Sequence, residues 1–231
     1  GGDVDRVTQY AVNVLEGKEV AGDTVKLACE RHLNDIKRSK TDDLEYYFDI
    51  DRANRIIDFA ETLYIVEGME DKEPLQLVGF QDFILGSLWG WVHKDTQYRR
   101  FRVSYVQLGR QQGKSILNGI LGLYSGNFDG YEYPQIYLTA TKQDQARIVL
   151  NEMIKMINAD NDLAEMFNIK EYKSEIECLV TNGIIRALGR DTKSIDGFRP
   201  YLGVIDEYHA HKDNQMYKLL EGGTGNLPQS L

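Results

Sequence analysis

Cysteine is nearly absent from this chain. Its 231 residues hold two, Cys29 and Cys178, far apart and without a C-x-x-C partner. That argues against a disulfide framework or a zinc site and favours a reducing compartment, with both thiols expected to be inert and partly buried. Long apolar runs are missing as well. No stretch approaches the roughly 18 apolar residues of a membrane span, and no charged-then-apolar leader precedes a cleavage site, so no membrane partner is expected. There is no internal repeat and no low-complexity tract. Positive charge is scarce too: residues 1–75 carry 18 acids and 10 bases, and the remaining 156 carry 18 and 17, so the net charge of −9 is almost all N-terminal. Without a basic tail, strong static binding to nucleic acid is not supported. The densest positive cluster, Arg99-Arg100-Phe101-Arg102, is short, and it reads more readily as a solvated strand edge than as a contact to phosphate or to a neighbouring subunit.

What is present suits a packed α/β chain. Hydrophobic residues make up 42% and charged residues 27%, enough for a sizeable core. Apolar residues recur at helical spacing from Val4 to about Arg38 and from Ile50 to Met69, with a polar stretch Ser39 to Glu45 between them and a further apolar helix from Phe80 to Trp91. After Arg99 the texture changes to short β-rich runs alternating with helices: Phe101 to Val106, Ile136 to Thr139, Ile176 to Thr181, Ile184 to Leu188 and Leu202 to Ile205, with a helix from Gln143 to Asn158. Such alternation predicts a mostly parallel sheet flanked by helices. Asn182-Gly183 predicts a tight hairpin that adds an antiparallel strand. The division falls at an acidic helical subdomain, 1–75, and a core, 76–231.

Within that core, Gln107-Leu108-Gly109-Arg110-Gln111-Gln112-Gly113-Lys114-Ser115 follows a strand-like run and opens a helix-like one, Ile116 to Tyr124. This is the strand, loop and helix layout of a P-loop that binds a nucleoside triphosphate. In such a loop the backbone N–H groups from Gly109 to Gly113 curl around the β-phosphate, and the helix dipole adds positive potential. Lys114 reaches the β/γ oxygens, and the Ser115 hydroxyl completes the Mg²⁺ shell. The fit to G-x-x-x-x-G-K-[ST] is imperfect, since Leu108 stands where the first glycine belongs.

A second motif supports the first. Tyr201-Leu202-Gly203-Val204-Ile205-Asp206-Glu207 is an apolar run ending in adjacent carboxylates, as in a buried parallel strand whose functional side chains emerge at its carboxyl end. Asp206 suits the Walker-B role of holding Mg²⁺, and Glu207 suits polarising the attacking water. A surface turn after a core strand is the plain alternative for the pair alone.

Together, Phe80-Gln81, the Gly109 to Ser115 loop, Thr139-Ala140-Thr141 with Gln145-Ala146, Asp196-Gly197-Phe198-Arg199-Pro200 and Val204 to His209 resemble the large terminase subunit of tailed bacteriophages. The resemblance spans residues 80 to 209. It implies a P-loop NTPase of the ASCE type, the ATPase half of the motor that drives double-stranded DNA through the portal into a procapsid, using ATP and Mg²⁺. The implied partners are double-stranded DNA, the portal protein, the small terminase subunit and further copies of the chain on the portal. The implied location is the cytoplasm of the infected bacterial host and, transiently, the portal vertex. In that family the loop commonly lacks its first glycine and carries a basic residue, which accounts for Leu108 and Arg110. An upstream glutamine contacts adenine, and Gln81 holds the matching position. Some members place an arginine immediately before the glycine leading into the Walker-B strand. Here Asp196 stands there, leaving Arg190 or Arg199 to act in trans or Arg110 to act in cis on γ-phosphate charge. The chain is expected to stop before the coupling strand and nuclease domain of such proteins, so DNA cleavage is not expected of it.

Other features stay open. His209 and His211 have metal-ligand spacing but no third ligand, and ordinary packing is the simpler reading. Thr139 to Thr141 suits either a DNA-touching loop or a strand-to-helix cap. Trp89 and Trp91 fit helical core better than a base-stacking platform. Two other functional classes also remain: a P-loop small-molecule kinase, and a nucleotide-regulated binding module that does not turn over. Glu207 favours hydrolysis over both.

Overall fold

The structure, a computed structural model, describes residues 5–67, 71–100, 113–140, 145–188 and 202–206. Its backbone contacts define two units, Gly1–Glu61 with Gln76–Phe101 and Thr62–Leu75 with Arg102–Leu231. A single cut at residue 75 therefore differs from the observed grouping, in which the apolar helix beginning at Gly79 packs with the N-terminal helices.

The first unit is built from α1 (Arg6–Leu15), α2 (Asp23–Ser39), α3 (Ile50–Glu61) and α4 (Gly79–Gly90). Asp5 caps α1, its carboxylate accepting the Thr8 N–H at 2.8 Å. Gly17, with φ of +79°, turns the chain after α1 in the left-handed conformation that favours glycine. The stripes Val7, Tyr10, Ala11, Val14 of α1 and Ala53, Ile56, Ile57, Ala60 of α3 are buried. Both helices pack against α4, which is apolar on nearly every side and correspondingly buried. A Cβ at Gly86 would overlap the Val7 side chain, so the glycine permits the close approach of α1. A short ribbon, β1 (Tyr46–Phe48) antiparallel to β4 (Trp91–His93), flanks these helices.

A histidine sits at the centre of this unit. His32 Nδ1 accepts the Trp91 Nε1–H at 3.1 Å, and Nε2 lies 3.0 Å from the Thr8 hydroxyl. With Nδ1 accepting, the neutral ring carries its proton on Nε2 and donates it to Thr8. Phe48, Phe83 and Trp91 present rings to it edge-on. Beside it, Arg100 pairs with buried Asp35 at 2.7 Å and lies over Trp91, while buried Arg99 lies over the Trp89 ring. The solvated strand edge expected for these two arginines is thus not what forms. An aromatic floor and a buried carboxylate draw their guanidinium groups inward. Trp89 and Trp91 are core residues, as their apolar context suggests.

The second unit is organised on a five-stranded sheet with strand order β6 (Phe167–Lys170), β7 (Glu175–Cys178), β8 (Gly183–Ala187), β5 (Gln135–Ala140), β9 (Leu202–Asp206). Strand β5 is parallel to β8 and β9, whereas β6, β7 and β8 run antiparallel. The described sheet is mixed rather than mostly parallel, because the turns at Glu171–Lys173 and Leu179 to Asn182 are too short for a crossover. The hairpin expected at Asn182-Gly183 forms, with Asn182 at φ of 60°. Helices α5 (Gly113–Asn127) and α6 (Gln145–Asn158) pack on the sheet and on each other, and α7 (Asn161–Ala164) precedes β6. The helical period expected to run to Met69 breaks at Glu61. Tyr64–Glu67 is instead a strand, β2, paired antiparallel with β3 (Asp71–Pro74), as β-branched and aromatic residues favour. The strand expected at Phe101 to Val106 lies outside the described residues.

Burial lowers the His32 pKa to about 4, opposed by the charges of Asp5 and Asp35 and assisted by Arg31. Between that value and the ordinary 6.5 the unfolded chain binds a proton that the folded chain does not. The stability this contributes is complete above pH 6.5 and is lost as the pH falls toward about 4. The full effect is on the order of 3 kcal/mol. Urea unfolding at pH 7.0 and 4.5 is expected to show His32→Gln shallower in its pH dependence than the parent; equal slopes would remove His32 as the source.

Candidate functional site

Helix α5 carries Gly113, Lys114 and Ser115 in its first turn, and its other end fixes its direction. The Thr181 hydroxyl donates to the Gly126 carbonyl at 2.5 Å, satisfying one of the orphan acceptors of the helix C-terminus. Asn127 Nδ2 donates to the Met166 carbonyl at 2.7 Å, and Asn127 Oδ1 accepts the Val180 N–H at 3.0 Å. These partners lie at the β7–β8 turn and just before β6, where β8 begins. The C-terminus of α5 is therefore pinned at the amino-terminal end of the parallel strands. At about 1.5 Å per residue α5 extends some 22 Å, slightly more than the length of a six-residue strand, about 20 Å. Its amino-terminal turn consequently lies toward the carboxyl ends of β5 and β9. There, Ala140 and Asp206 stand opposite each other in register.

Small residues allow the helix to lie this close. A Cβ on Gly126 would stand 2.7 Å from Cys178 Sγ and 3.2–3.3 Å from Ile185, while one on Gly122 would overlap the flexible end of Met153. Cys178 is buried, and loss of solvation pushes its thiol up to about 12; Cys29, also buried, is pushed up to about 11. Both are inert packing groups, consistent with their spacing in the sequence. On the sheet, Arg186 of β8 reaches Glu175 of β7 with its Nη2 at 2.6 Å and its Nε at 3.2 Å.

The sequence-predicted site residues fall into three groups. Gly113, Lys114 and Ser115 open α5, and Asp206 ends β9, so the fold brings these backbone positions to the same end of the sheet. Gly109, Arg110, Gln111, Gln112 and Glu207 lie outside the described residues, as do Arg190, Arg199, His209 and His211. Gln81 belongs to the helical unit. It is buried, and its Oε1 accepts the Val78 N–H at 3.0 Å at the start of α4, so this oxygen is engaged in capping.

Next to Gln81 the structure reveals a residue that the sequence reading did not single out. Asp82 is buried, and Arg6 reaches its Oδ2 through Nε at 3.0 Å and Nη2 at 2.8 Å, while Nη1 of the same arginine holds Glu61. Burial raises the Asp82 pKa and the Arg6 charge opposes that shift. The signal available in the sequence was a lone acid inside the otherwise apolar run Phe80 to Trp91.

The two residues that the sequence assigns to a cation, Ser115 and Asp206, are both of oxygen-donor type, which fits a hard cation such as Mg²⁺. A helix amino terminus facing the carboxyl end of a parallel strand pair suits a polyphosphate. The class of protein is shown by comparison: the family profile of the terminase large subunit ATPase domain matches residues 79–226, and the chain belongs to this family. A curated relative, the terminase large subunit of Enterobacteria phage HK97, is 30% identical over 159 residues, covering 68% of this chain and 30% of its own length. The crystal structure of the HK97 bacteriophage large terminase superposes with a TM-score of 0.62 at 23% identity, over 75% of this chain and 35% of that one; this likeness bears on the fold. The chain thus spans about a third of the length of these relatives. Among the described residues no helix is long and apolar enough to cross a membrane.

The contacts at Gly126 make it the sensitive point of α5. Gly126→Val is expected to lower stability by about 1–3 kcal/mol through overpacking against the buried thiol and Ile185, despite the gain in helix propensity. Gly122→Ala meets only a movable methionine end and is expected to change stability by less than about 1 kcal/mol. Chemical denaturation of both variants checks the order, and a Gly126→Val protein as stable as the parent would refute the tight seating of α5.

Proposed function

We propose that this chain hydrolyses ATP as the motor part of a phage large terminase, using the energy to translocate double-stranded DNA into a procapsid. The observation that carries the reading is the family match over 79–226, which contains both the Gly109 to Ser115 loop and the Asp206-Glu207 pair. The convergence of the α5 amino terminus with the β9 carboxyl end supports it. In this reading the backbone from Gly109 to Gly113 holds the phosphates, Lys114 neutralises the β/γ charge, and Ser115 and Asp206 would hold Mg²⁺, which would supply charge neutralisation at the γ-phosphate. Glu207 accepts the proton of the attacking water, Arg110 stabilises charge on the γ-phosphate in cis, and Gln81 contacts adenine. The partners proposed are double-stranded DNA, the portal protein, the small terminase subunit and further copies of the chain assembled on the portal. The site of action is the host cytoplasm and the portal vertex. A kinase or a nucleotide switch would need no water-activating carboxylate beside Asp206, so Glu207 favours the motor.

The assigned roles separate in mutants. Lys114→Ala is expected to abolish phosphate release and weaken nucleotide binding. Glu207→Gln is expected to keep binding while lowering turnover by about 10² or more, the scale of a lost positioned base. Phosphate release without any added acceptor, together with calorimetric ATP affinity, measures both. Equal loss of affinity in the two variants would contradict the roles, and turnover only with a phosphoryl acceptor would make the protein a kinase.

The arginine assignment has its own test. Arg110→Ala is expected to lower turnover at every protein concentration, because the residue acts within its own subunit. Mixing it with Glu207→Gln protein distinguishes the alternatives: restored hydrolysis would show an arginine acting across subunits and overturn the cis role.

A further inference from the structure

The end of the sheet opposite Asp206 carries an exposed apolar tip. Tyr133 is 67% exposed, Leu179 50% and Val180 61%, and all three belong to segments joined by hydrogen bonds. The Tyr133 N–H donates to the Thr181 carbonyl at 2.8 Å, the Leu179 N–H to the Met166 carbonyl at 2.9 Å, and the Val180 N–H to Asn127 Oδ1 at 3.0 Å. The turn's backbone is therefore fixed in place, and its apolar side chains are presented with little backbone ordering left to complete on binding. Tyr133 adopts φ of 58°, a left-handed conformation that costs a residue with a Cβ about 1–2 kcal/mol. The Tyr133 N–H hydrogen bond to Thr181 holds that backbone conformation and leaves the ring in solvent.

The segments that form the tip are acidic in sequence. Residues 125–141, 156–169 and 176–185, which the contacts above join, contain six acids and no lysine or arginine. Among the described residues, Lys72 donates to the Ala159 carbonyl and Lys170 pairs with Glu177. Glu132 and Glu165, the acids next to Tyr133 and Met166, are exposed.

We propose that this tip is a docking surface for a basic segment of another protein, one carrying lysine or arginine beside one or two large apolar side chains. The apolar residues supply the anchor and the acidic surround selects the sign of the partner. Duplex DNA is disfavoured because its phosphates would face carboxylates. A second copy of the chain is disfavoured because the same acids would oppose one another across an isologous contact. Docking here leaves the carboxyl ends of β5 and β9 open, so a partner could be engaged during turnover.

A random dodecapeptide library displayed on ribosomes, selected on the whole chain and counter-selected on Leu179→Ser/Val180→Ser, tests the proposal. The peptides recovered are expected to carry net positive charge and at least one large apolar residue. By fluorescence anisotropy they are expected to lose about tenfold or more in affinity on Leu179→Ser/Val180→Ser and on Glu132→Lys/Glu165→Lys, and to weaken as salt is raised. The charge pair stands as an independent arm should the serine pair melt at a lower temperature than the parent. The proposal is overturned if no peptide is enriched, if the enriched peptides lack positive charge, or if their binding ignores Glu132→Lys/Glu165→Lys. It is equally overturned if sedimentation shows self-association of the parent that Leu179→Ser/Val180→Ser abolishes, since the occupant would then be a second copy.

Discussion

Thr181 holding the Gly126 carbonyl is the contact on which the geometry of the second unit turns. A helix lying on a sheet can slide along its axis or rotate while keeping its apolar contacts, because dispersion and hydrophobic burial have little direction. Hydrogen bonds from Thr181 and Asn127 remove that freedom by tying the last turn of α5 to the β7–β8 hairpin and to Met166. Once that end is fixed, helix rise and strand length carry the first turn to the other end of the sheet. Residues some fifty positions away in sequence thereby decide where Lys114 and Ser115 begin. Gly122 and Gly126 set the depth at which this happens, and Cys178 and Met153 occupy the space their missing side chains leave.

The helical unit solves its packing differently. Its core is aromatic and polar at the centre, with His32 linking α1, α2 and β4 through two directional contacts. A buried imidazole is tolerable there only because both ring nitrogens have partners when it is neutral, and protonation would turn the Nδ1 acceptor into a second donor facing Trp91 Nε1–H. Arg6 and Arg100 serve the periphery of the same core: Arg6 pairs with Asp82, and Arg100 joins Arg38 on Asp35, so neither buried carboxylate lacks a cation. The first of these pairs fixes α1 beside the residue next to Gln81, so the orientation of that glutamine depends on the packing of the N-terminal helix.

Much of this was legible in the sequence where a local rule forces a conformation. Asn182-Gly183 marks its hairpin because few residues tolerate positive φ, and the Val4 to Arg38 and Phe80 to Trp91 stretches mark helices because their apolar period repeats over several turns. The three- and four-residue strands Tyr46–Phe48 and Tyr64–Glu67 were not legible, since so short a run cannot display a period of two, and the second continued a helical spacing by chance. Arg99 and Arg100 were misread for a related reason. A run of bases looks solvent-exposed until the aromatic rings and the carboxylate that receive it, Trp89, Trp91 and Asp35, are brought close by contacts 9 to 65 residues apart. At the candidate site, the order of Gly113-Lys114-Ser115 and Asp206 along the chain was readable, whereas the capping role of Gln81 was not, because it depends on where α4 starts.

The burial of Arg99 and the pairing of Arg100 with Asp35 also bear on how a chain this acidic would work on DNA in the proposed function. The densest run of bases in the sequence has Arg99 inside the helical unit and most of Arg100 turned toward it, which leaves little of their charge for a phosphate-tracking surface. Each base removed from such a surface lowers the number of counterions released and flattens the dependence of affinity on salt. A motor that must grip and release its track at each step gains from that, because a contact worth many released counterions would hold the DNA through the reset of the cycle. In the proposed function, weak grip is therefore compatible with movement, provided that the contacts strengthen only while nucleotide is bound. The inward arginines stabilise the scaffold, and in the proposed function the adjustable contacts fall to other residues.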